Sequence, residues 1–169
     1  MNNIYLIGMM GSGKSTIGLL LAKQLECSFV DTDDYIIENS SYNSINEIFK
    51  KKKESYFRNI ESEALKKISL GSNCIIATGG GIILKAGNIS LMKKTGKVIY
   101  LESSVENLVK NLYNTKCRPL LKNKNLTNEL ELLLKRRERL YNNASNTIVD
   151  VTFKSKNDIV DLIISTVKR

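Results

Sequence analysis

The feature that most constrains this chain is a short apolar segment that runs directly into a glycine-rich turn. Residues 4–7 are continuously apolar, and residues 8–15 read Gly-Met-Met-Gly-Ser-Gly-Lys-Ser. This is the complete G-x-x-x-x-G-K-[ST] pattern, in which backbone N–H groups cradle phosphates, the lysine reaches the β- and γ-phosphates and the hydroxyl can ligate Mg²⁺. Apolar residues at helical spacing follow over residues 15–25. A strand before the motif and a helix after it favour phosphate binding over a glycine-rich turn without a ligand.

Apolar strand segments alternate with helical patterns through the rest of the chain. The sequence predicts strands at residues 4–7, 29–30, 74–77, 98–101 and 147–149, and helices at 15–25, 44–51, 54–70, 104–113, 127–142 and 157–167. Strands that alternate with helices predict a parallel sheet covered by helices. We therefore expect a single α/β domain over residues 1–169, a three-layer αβα sandwich with a central five-stranded parallel sheet.

Composition excludes several kinds of site. The chain has no histidine, which rules out histidine-based metal sites, Ser-His-Asp nucleophiles and a histidine general base. Its three cysteines are far apart and form no C-x-x-C pair, so we expect reduced thiols in a cytoplasmic protein. No signal peptide or membrane-spanning run is predicted. Twenty-six Lys and Arg against seventeen Asp and Glu give a net charge of +9, which points to anionic partners.

An acidic cluster follows the second predicted strand. Asp31, Asp33 and Asp34 come directly after Phe29 and Val30. The carboxyl end of a strand in an open α/β sheet is the edge where ligands bind. If the strand continued, Asp31 and Asp33 would face one cleft, one toward a metal and one toward a substrate, and Asp34 would begin the next helix. The alternative is that one of these aspartates only caps that helix.

Two further segments are candidates for ligand contact. Residues 78–81 read Thr-Gly-Gly-Gly after the third predicted strand, which permits either close approach of a ligand or a tight turn. Residues 115–125 contain the only proline, Pro119, together with Arg118 and several lysines. This segment reads as an exposed loop, and both a helix connector and a mobile lid over an anionic ligand fit it.

Taken together, these residues resemble the shikimate kinase family, small P-loop kinases of the nucleoside-monophosphate-kinase-like fold. The resemblance covers essentially the whole chain. Its motifs occur in family order: G-M-M-G-S-G-K-S-T at 8–16, D-T-D at 31–33, F-R-x-x-E at 57–61, G-G-G at 79–81, R-P-L-L at 118–121 and an arginine ahead of Leu140-Tyr141.

The resemblance implies transfer of phosphate from ATP, with Mg²⁺, to the 3-hydroxyl of shikimate, in the route to chorismate and the aromatic amino acids. It implies catalytic roles for Lys14, Asp33 and Arg118. The ATP site would comprise Gly11, Ser12, Gly13, Lys14, Ser15, Thr16 and Arg118, and Mg²⁺ would be held by Ser15 and Asp31. The shikimate site would comprise Asp33, Arg58, Gly79, Gly80, Gly81 and Arg137, with Glu61 steadying Arg58. Residues 33–61 would form the substrate-binding region and 115–125 the lid.

Several alternatives stay open at this point. A register error of one residue would put Arg136 in place of Arg137, and Asp33 could either deprotonate the acceptor or only orient it. Relatives often stack an arginine on adenine at a position that falls near Asn111 in this chain. A sugar-acid or nucleotide kinase, or a basic nucleic-acid-binding ATPase module, are the competing functions. The chain has no tryptophan and only 7% aromatic residues, which argues against a nucleic-acid partner. We also expect a monomer that acts on a small molecule, without a membrane partner.

Overall fold

A computed structural model describes residues 2–113 and 126–167 of the chain. The predicted lid 115–125, including Arg118, lies outside these residues. The strands are β1 (Asn3–Ile7), β2 (Ser28–Asp31), β3 (Cys74–Ala77), β4 (Gly96–Glu102) and β5 (Thr147–Asp150). The helices are α1 (Lys14–Gln24), α2 (Thr32–Glu38), α3 (Ile45–Lys51), α4 (Glu54–Ile68), α5 (Ala86–Thr95), α6 (Val105–Tyr113), α7 (Leu126–Ala144) and α8 (Lys156–Val167), with a 3-10 turn at Ile82–Leu84.

The five strands form one parallel sheet in the order β2-β3-β1-β4-β5. The central strand β1 is buried along its whole length, and Leu6 is in register with Ala77 on β3 and with Ile99 on β4. Because the chain moves from β1 to β2 in one direction and from β3 to β4 in the other, a crevice opens at the carboxyl end of β1. The glycine-rich turn occupies this position.

Helices cover both faces of the sheet, as predicted. On one face Leu6, Ile75 and Ile99 pack against apolar residues of α1 and α8. On the other face Tyr5, Ile76 and Tyr100 pack against residues of α4 to α7. Each fully buried aliphatic side chain contributes roughly 1.5–3 kcal/mol relative to an exposed one. The three-layer αβα arrangement with a central five-stranded parallel sheet is confirmed.

The amino-terminal edge of the sheet is fixed by buried polar side chains. Asn3, which is 1% exposed, donates to the carbonyl oxygen of Gly71 at 2.9 Å and accepts from the Cys74 N–H at 3.2 Å. The hydroxyl of Tyr5 lies 2.9 Å from Ser69 Oγ and 2.7 Å from Thr95 Oγ1. These bonds connect β1 to the segment before β3 and to the end of α5.

One local expectation was wrong, and one helix was missed. Helix α2 begins at Thr32 and not at Asp34, because Asp31 caps it: its Oδ1 accepts from the Asp33 N–H at 2.9 Å. Asp33 therefore lies in the first turn of a helix and not on a continued strand. Helix α5 was not predicted, since it contains a glycine, Gly87, and its buried face carries a polar residue, Asn88. The Asn88 side chain is satisfied there by donating to the carbonyl oxygen of Ile82 at 3.1 Å.

Helices α2, α3 and α4 cluster around their own small apolar core. Ile36, Ile48, Phe57 and Ala64 are its buried members. The cluster holds α4 beside the carboxyl end of β2, which brings residues of the predicted 33–61 region to the crevice. In the part of the chain that the structure describes, we find no helix with the length and apolar character needed to cross a bilayer.

Candidate active site

The glycine-rich turn adopts a backbone that most residues avoid. Gly11 and Gly13 have φ values of +82° and +86°, in the left-handed region that favours glycine. A Cβ at Gly11 would also lie 2.9 Å from Leu112 Cγ and 3.0 Å from the Leu108 carbonyl oxygen. Gly13 immediately precedes α1, so the first N–H groups of that helix open toward the turn. Gly11 is therefore required for both conformation and space, and Gly13 for conformation.

Lys14 lies inside the turn. It is 9% exposed, and its Nζ donates to the carbonyl oxygens of Gly8 at 2.9 Å and Met9 at 2.8 Å. Carbonyl oxygens hold the ammonium group in the position from which a lysine of this motif reaches phosphate. The structure thus places a buried positive charge at the expected point of the cradle.

Ser15 and Asp31 form the second part of the site. Ser15 Oγ donates to Asp31 Oδ2 at 2.5 Å, while the other oxygen of Asp31 caps α2. A hydroxyl and a carboxylate side by side are hard oxygen donors of the type that Mg²⁺ prefers, and this ion commonly takes one or two protein ligands alongside phosphate oxygens. The pair therefore fits Mg²⁺ as part of a nucleotide complex.

Two carboxylates approach Gly79 from different elements. A Cβ at Gly79 would lie 2.9 Å from Asp33 Oδ1 on α2 and 2.8 Å from Glu61 Oε1 on α4. The backbone of this segment is fixed by Thr32, whose Oγ1 accepts from the Gly79 N–H at 3.0 Å. Glycine at this position lets both acidic groups reach one end of the glycine triplet.

Arg58 is held by two glutamates on its own helix. Its Nη1 donates to Glu61 Oε2 at 2.7 Å and its Nη2 to Glu54 Oε1 at 3.1 Å. Burial raises the pKa of Glu61, which is fully buried, and the bond from Arg58 opposes only part of that shift. The Arg58 guanidinium lies directly against Gly81, where any side chain atom would collide with it.

Arg137 reaches the same segment from α7. Its Nη1 donates to the Gly80 carbonyl oxygen at 3.3 Å, and the Tyr141 hydroxyl donates to that oxygen at 2.6 Å. Arg137 is half-buried, whereas its neighbour Arg136 is exposed. The alignment that assigns the site role to Arg137, and not to Arg136, therefore agrees with the burial of the two side chains and with the bond that Arg137 makes to Gly80.

A cavity of about 540 Å³ runs between these groups. Its walls include the following sequence-predicted residues: Gly11, Ser12, Gly13, Lys14, Ser15, Thr16, Asp31, Asp33, Gly79 and Gly80. Arg58, Gly81 and Arg137 are not among its lining residues. Arg137 contacts the cavity wall at Gly80, and Arg58 lies against Gly81, the next residue of the triplet. Arg118 lies outside the described residues.

Four lining or supporting residues were missed by the sequence interpretation as site residues. Asn111, which was considered only as the substitute for an adenine-stacking arginine, lines the cavity and donates to the Gly11 carbonyl oxygen at 2.8 Å. Lys154 and Lys156, in and just after the segment that follows β5, also line it. Both lysines follow a strand of the parallel sheet, and this position could have identified them from the sequence as candidate site residues. Tyr141 was named in the sequence only as part of the Leu140-Tyr141 motif that follows the arginine, without a role of its own.

Comparisons with known proteins agree with this geometry. The family model described as shikimate kinase matches residues 10–168. A shikimate kinase from Rippkaea orientalis is 44% identical over 165 residues, covering 98% of this chain and 87% of that protein. One from Sulfurihydrogenibium is 38% identical over 169 residues, covering 100% and 99%.

Solved structures give the same result. A shikimate kinase from Acinetobacter baumannii in complex with shikimate superposes with a TM-score of 0.92 at 34% identity, covering 99% of this chain and 93% of that one. A gluconokinase from Sinorhizobium meliloti shares the fold at a TM-score of 0.66 and 17% identity, covering 99% and 92%. Fold likeness at that identity says nothing about the acceptor, whereas the family match does: this chain is a kinase and belongs to the shikimate kinase family.

Proposed function

We propose that the chain transfers the γ-phosphoryl group of ATP to the 3-hydroxyl of shikimate, in the route to chorismate and the aromatic amino acids. One observation carries the proposal: two arginines and an aspartate from three different helices meet at the Gly79–Gly81 segment, beside the phosphate-binding turn. Two arginines and an aspartate in this arrangement would recognise a substrate that carries a carboxylate next to hydroxyl groups. The Acinetobacter relative, whose structure contains shikimate, supports the same acceptor.

The nucleotide side of the site supplies positive charge and position. For phosphoryl transfer, the protein must chiefly align the donor with the acceptor and stabilise the charge on the equatorial oxygens of the transferred group. Backbone N–H groups of the turn bind the phosphates, and Lys14 exchanges its carbonyl partners for phosphate oxygens. Ser15 and Asp31 would hold Mg²⁺, which neutralises charge on the β- and γ-phosphates when bound. Arg118 is assigned to the transferred phosphoryl group from the family resemblance.

The acceptor side supplies orientation. Arg58 and Arg137 each offer a planar fork that can make two parallel bonds to a carboxylate. With that end of the substrate fixed, Asp33 accepts a hydrogen bond from the attacking hydroxyl, orients it and takes its proton as the oxygen–phosphorus bond forms. The bond between the γ-phosphorus and the β–γ bridging oxygen breaks in the same transfer, and ADP leaves. Glu61 keeps Arg58 in place through its 2.7 Å bond.

The remaining parts of the proposal concern the molecule as a whole. We propose that residues 1–169 form a single domain with a lid at 115–125, and that the protein acts as a cytoplasmic monomer on a small molecule, without nucleic-acid or membrane partners. Size-exclusion chromatography with light scattering tests the monomer. A mass near 38 kDa, twice the chain mass of 19.0 kDa, would contradict it.

A coupled assay of ADP release tests the reaction itself. ATP and Mg²⁺ are supplied with shikimate, with gluconate, with single-stranded nucleic acid, or with no acceptor. The proposal expects release only with shikimate and only while EDTA is absent. Release with gluconate or nucleic acid and not with shikimate would instead support the sugar-acid kinase or the nucleic-acid-dependent ATPase.

A further inference from the structure

Tyr141 is a buried tyrosine whose hydroxyl faces the site and which no step above uses. Its side chain is completely buried, and its ring stacks on Tyr100 of β4 with centroids 4.9 Å apart and an interplanar angle of 15°. The hydroxyl donates to the Gly80 carbonyl oxygen at 2.6 Å and lies 3.7 Å from the Met9 sulfur. The ring is therefore fixed by the sheet, and only its polar end reaches the glycine triplet.

Gly80 lies between this hydroxyl and the phosphate-binding turn. A Cβ at Gly80 would be 3.7 Å from the Tyr141 hydroxyl, 3.4 Å from the Gly8 carbonyl oxygen and 3.6 Å from the Met10 amide nitrogen. The glycine triplet is thus packed directly on the turn that binds phosphate. The hydrogen bond from Tyr141 to Gly80 holds this segment, together with the bond from the Gly79 N–H to Thr32 Oγ1.

The charged groups around the Tyr141 hydroxyl are those of the proposed acceptor site. Burial raises the pKa of Tyr141 to about 12, while the nearby positive charges of Arg137 and Arg58 oppose the shift. The group therefore stays protonated at neutral pH and acts as a donor. Its acceptor, the Gly80 carbonyl oxygen, is the one that Arg137 also uses. Because both donors bind the same oxygen, a shift of that oxygen would change the bond that Arg137 makes.

We propose that Tyr141 is a positioning residue for phosphoryl transfer, which holds the Gly79–Gly81 segment against the phosphate-binding turn and so fixes Arg137 at the acceptor's carboxylate. This inference rests on the proposed function for its kinetic consequence. Its structural consequence, an immobilised glycine triplet, is independent of which acceptor the enzyme uses.

The test compares Tyr141→Phe with Tyr5→Phe. Both substitutions remove one hydroxyl from a completely buried tyrosine and keep the ring, but the Tyr5 hydroxyl bonds to Ser69 and Thr95 at the opposite edge of the sheet. Loss of a bond to a buried acceptor costs on the order of tenfold in the quantity it supports. We expect Tyr141→Phe to lower kcat/KM for shikimate by about tenfold, chiefly through KM, and to leave KM for ATP within about twofold. Tyr5→Phe changes neither, although it lowers the melting temperature.

Hydrogen exchange followed by mass spectrometry supplies a readout that needs no activity. Amide exchange in peptides covering residues 78–84 should become faster in Tyr141→Phe and stay unchanged in Tyr5→Phe. Equal kinetic losses in the two variants, or unchanged exchange in Tyr141→Phe, would overturn the proposal. If the wild-type protein shows no shikimate-dependent ADP release, the proposed function fails, and the exchange comparison still decides whether Tyr141 holds the segment.

Discussion

The guanidinium of Arg58 packs so tightly against Gly81 that a methyl group there would occupy the same space. Gly81 has φ −102° and ψ 4°, values that alanine can adopt, so the requirement for glycine is one of space and not of backbone conformation. The atoms in the way are the far end of a long side chain. A substitution at Gly81 should therefore move Arg58 without disturbing the fold.

Gly81→Ala is expected to raise KM for shikimate by about tenfold or more, since the displaced guanidinium would lose one of the two bonds proposed between Arg58 and the acceptor carboxylate. The free energy of unfolding should fall by less than about 1 kcal/mol. Steady-state kinetics and urea denaturation measure the two quantities. Gly87→Ala is the matched control, because a Cβ there meets nothing within 4 Å. A Gly81→Ala enzyme with wild-type KM would remove Arg58 from the acceptor site.

Asp33→Asn should lower kcat by about 10²- to 10⁴-fold, the range typical of losing a group that accepts a proton in the transition state. The substitution keeps the shape of the side chain and the backbone N–H that Asp31 binds. Affinity for an ATP analogue, measured by calorimetry, should stay unchanged. Asp34→Asn is the control, since that neighbouring carboxylate does not line the cavity. Wild-type turnover in Asp33→Asn would show that its carboxylate has been misassigned.

Arg137→Lys tests the register of the α7 arginines. Lysine keeps the charge but loses the planar fork, so KM for shikimate should rise about tenfold while KM for ATP stays within about twofold. Arg136→Lys, at the exposed neighbouring position, should behave as wild type. The reverse pattern would assign the carboxylate to Arg136.

Glu61→Gln addresses the buried carboxyl beside Arg58. Burial raises the pKa of Glu61 above its ordinary value of 4.5, so the folded protein holds this proton more tightly than the unfolded chain does. The stabilisation that follows is present below pH 4.5 and is lost as the pH rises through the folded-state pKa. The difference in unfolding free energy, wild type minus Glu61→Gln, should therefore decrease with pH above 4.5. Urea denaturation at several pH values measures it, and an increase with pH would mean that pairing with Arg58 outweighs burial.

Features encoded locally could be predicted from the sequence. The phosphate-binding turn, its flanking strand and helix, and the glycine triplet each depend on residues within about ten positions of one another. The start of α2 was misplaced because capping by Asp31 competes with strand continuation, and only the folded backbone decides between them. No local sequence pattern indicated the contacts between residues that are far apart in the chain. The bond from Tyr141 to Gly80 joins residues 61 apart in sequence. Arg58 was assigned through the F-R-x-x-E motif of the family resemblance, because residue type alone does not separate it from the other arginines.

The amino and carboxyl ends of the parallel strands have different roles. The proposed ligands among the described residues gather at the carboxyl ends of the strands, while Asn3 and Tyr5 lock the amino ends through bonds that no substrate touches. Substitutions at the carboxyl ends of the strands should change substrate binding, and substitutions at the amino ends should change the melting temperature. Selection can therefore adjust thermal tolerance and acceptor choice separately, and a protein engineer can raise the melting temperature at the amino edge while leaving turnover intact.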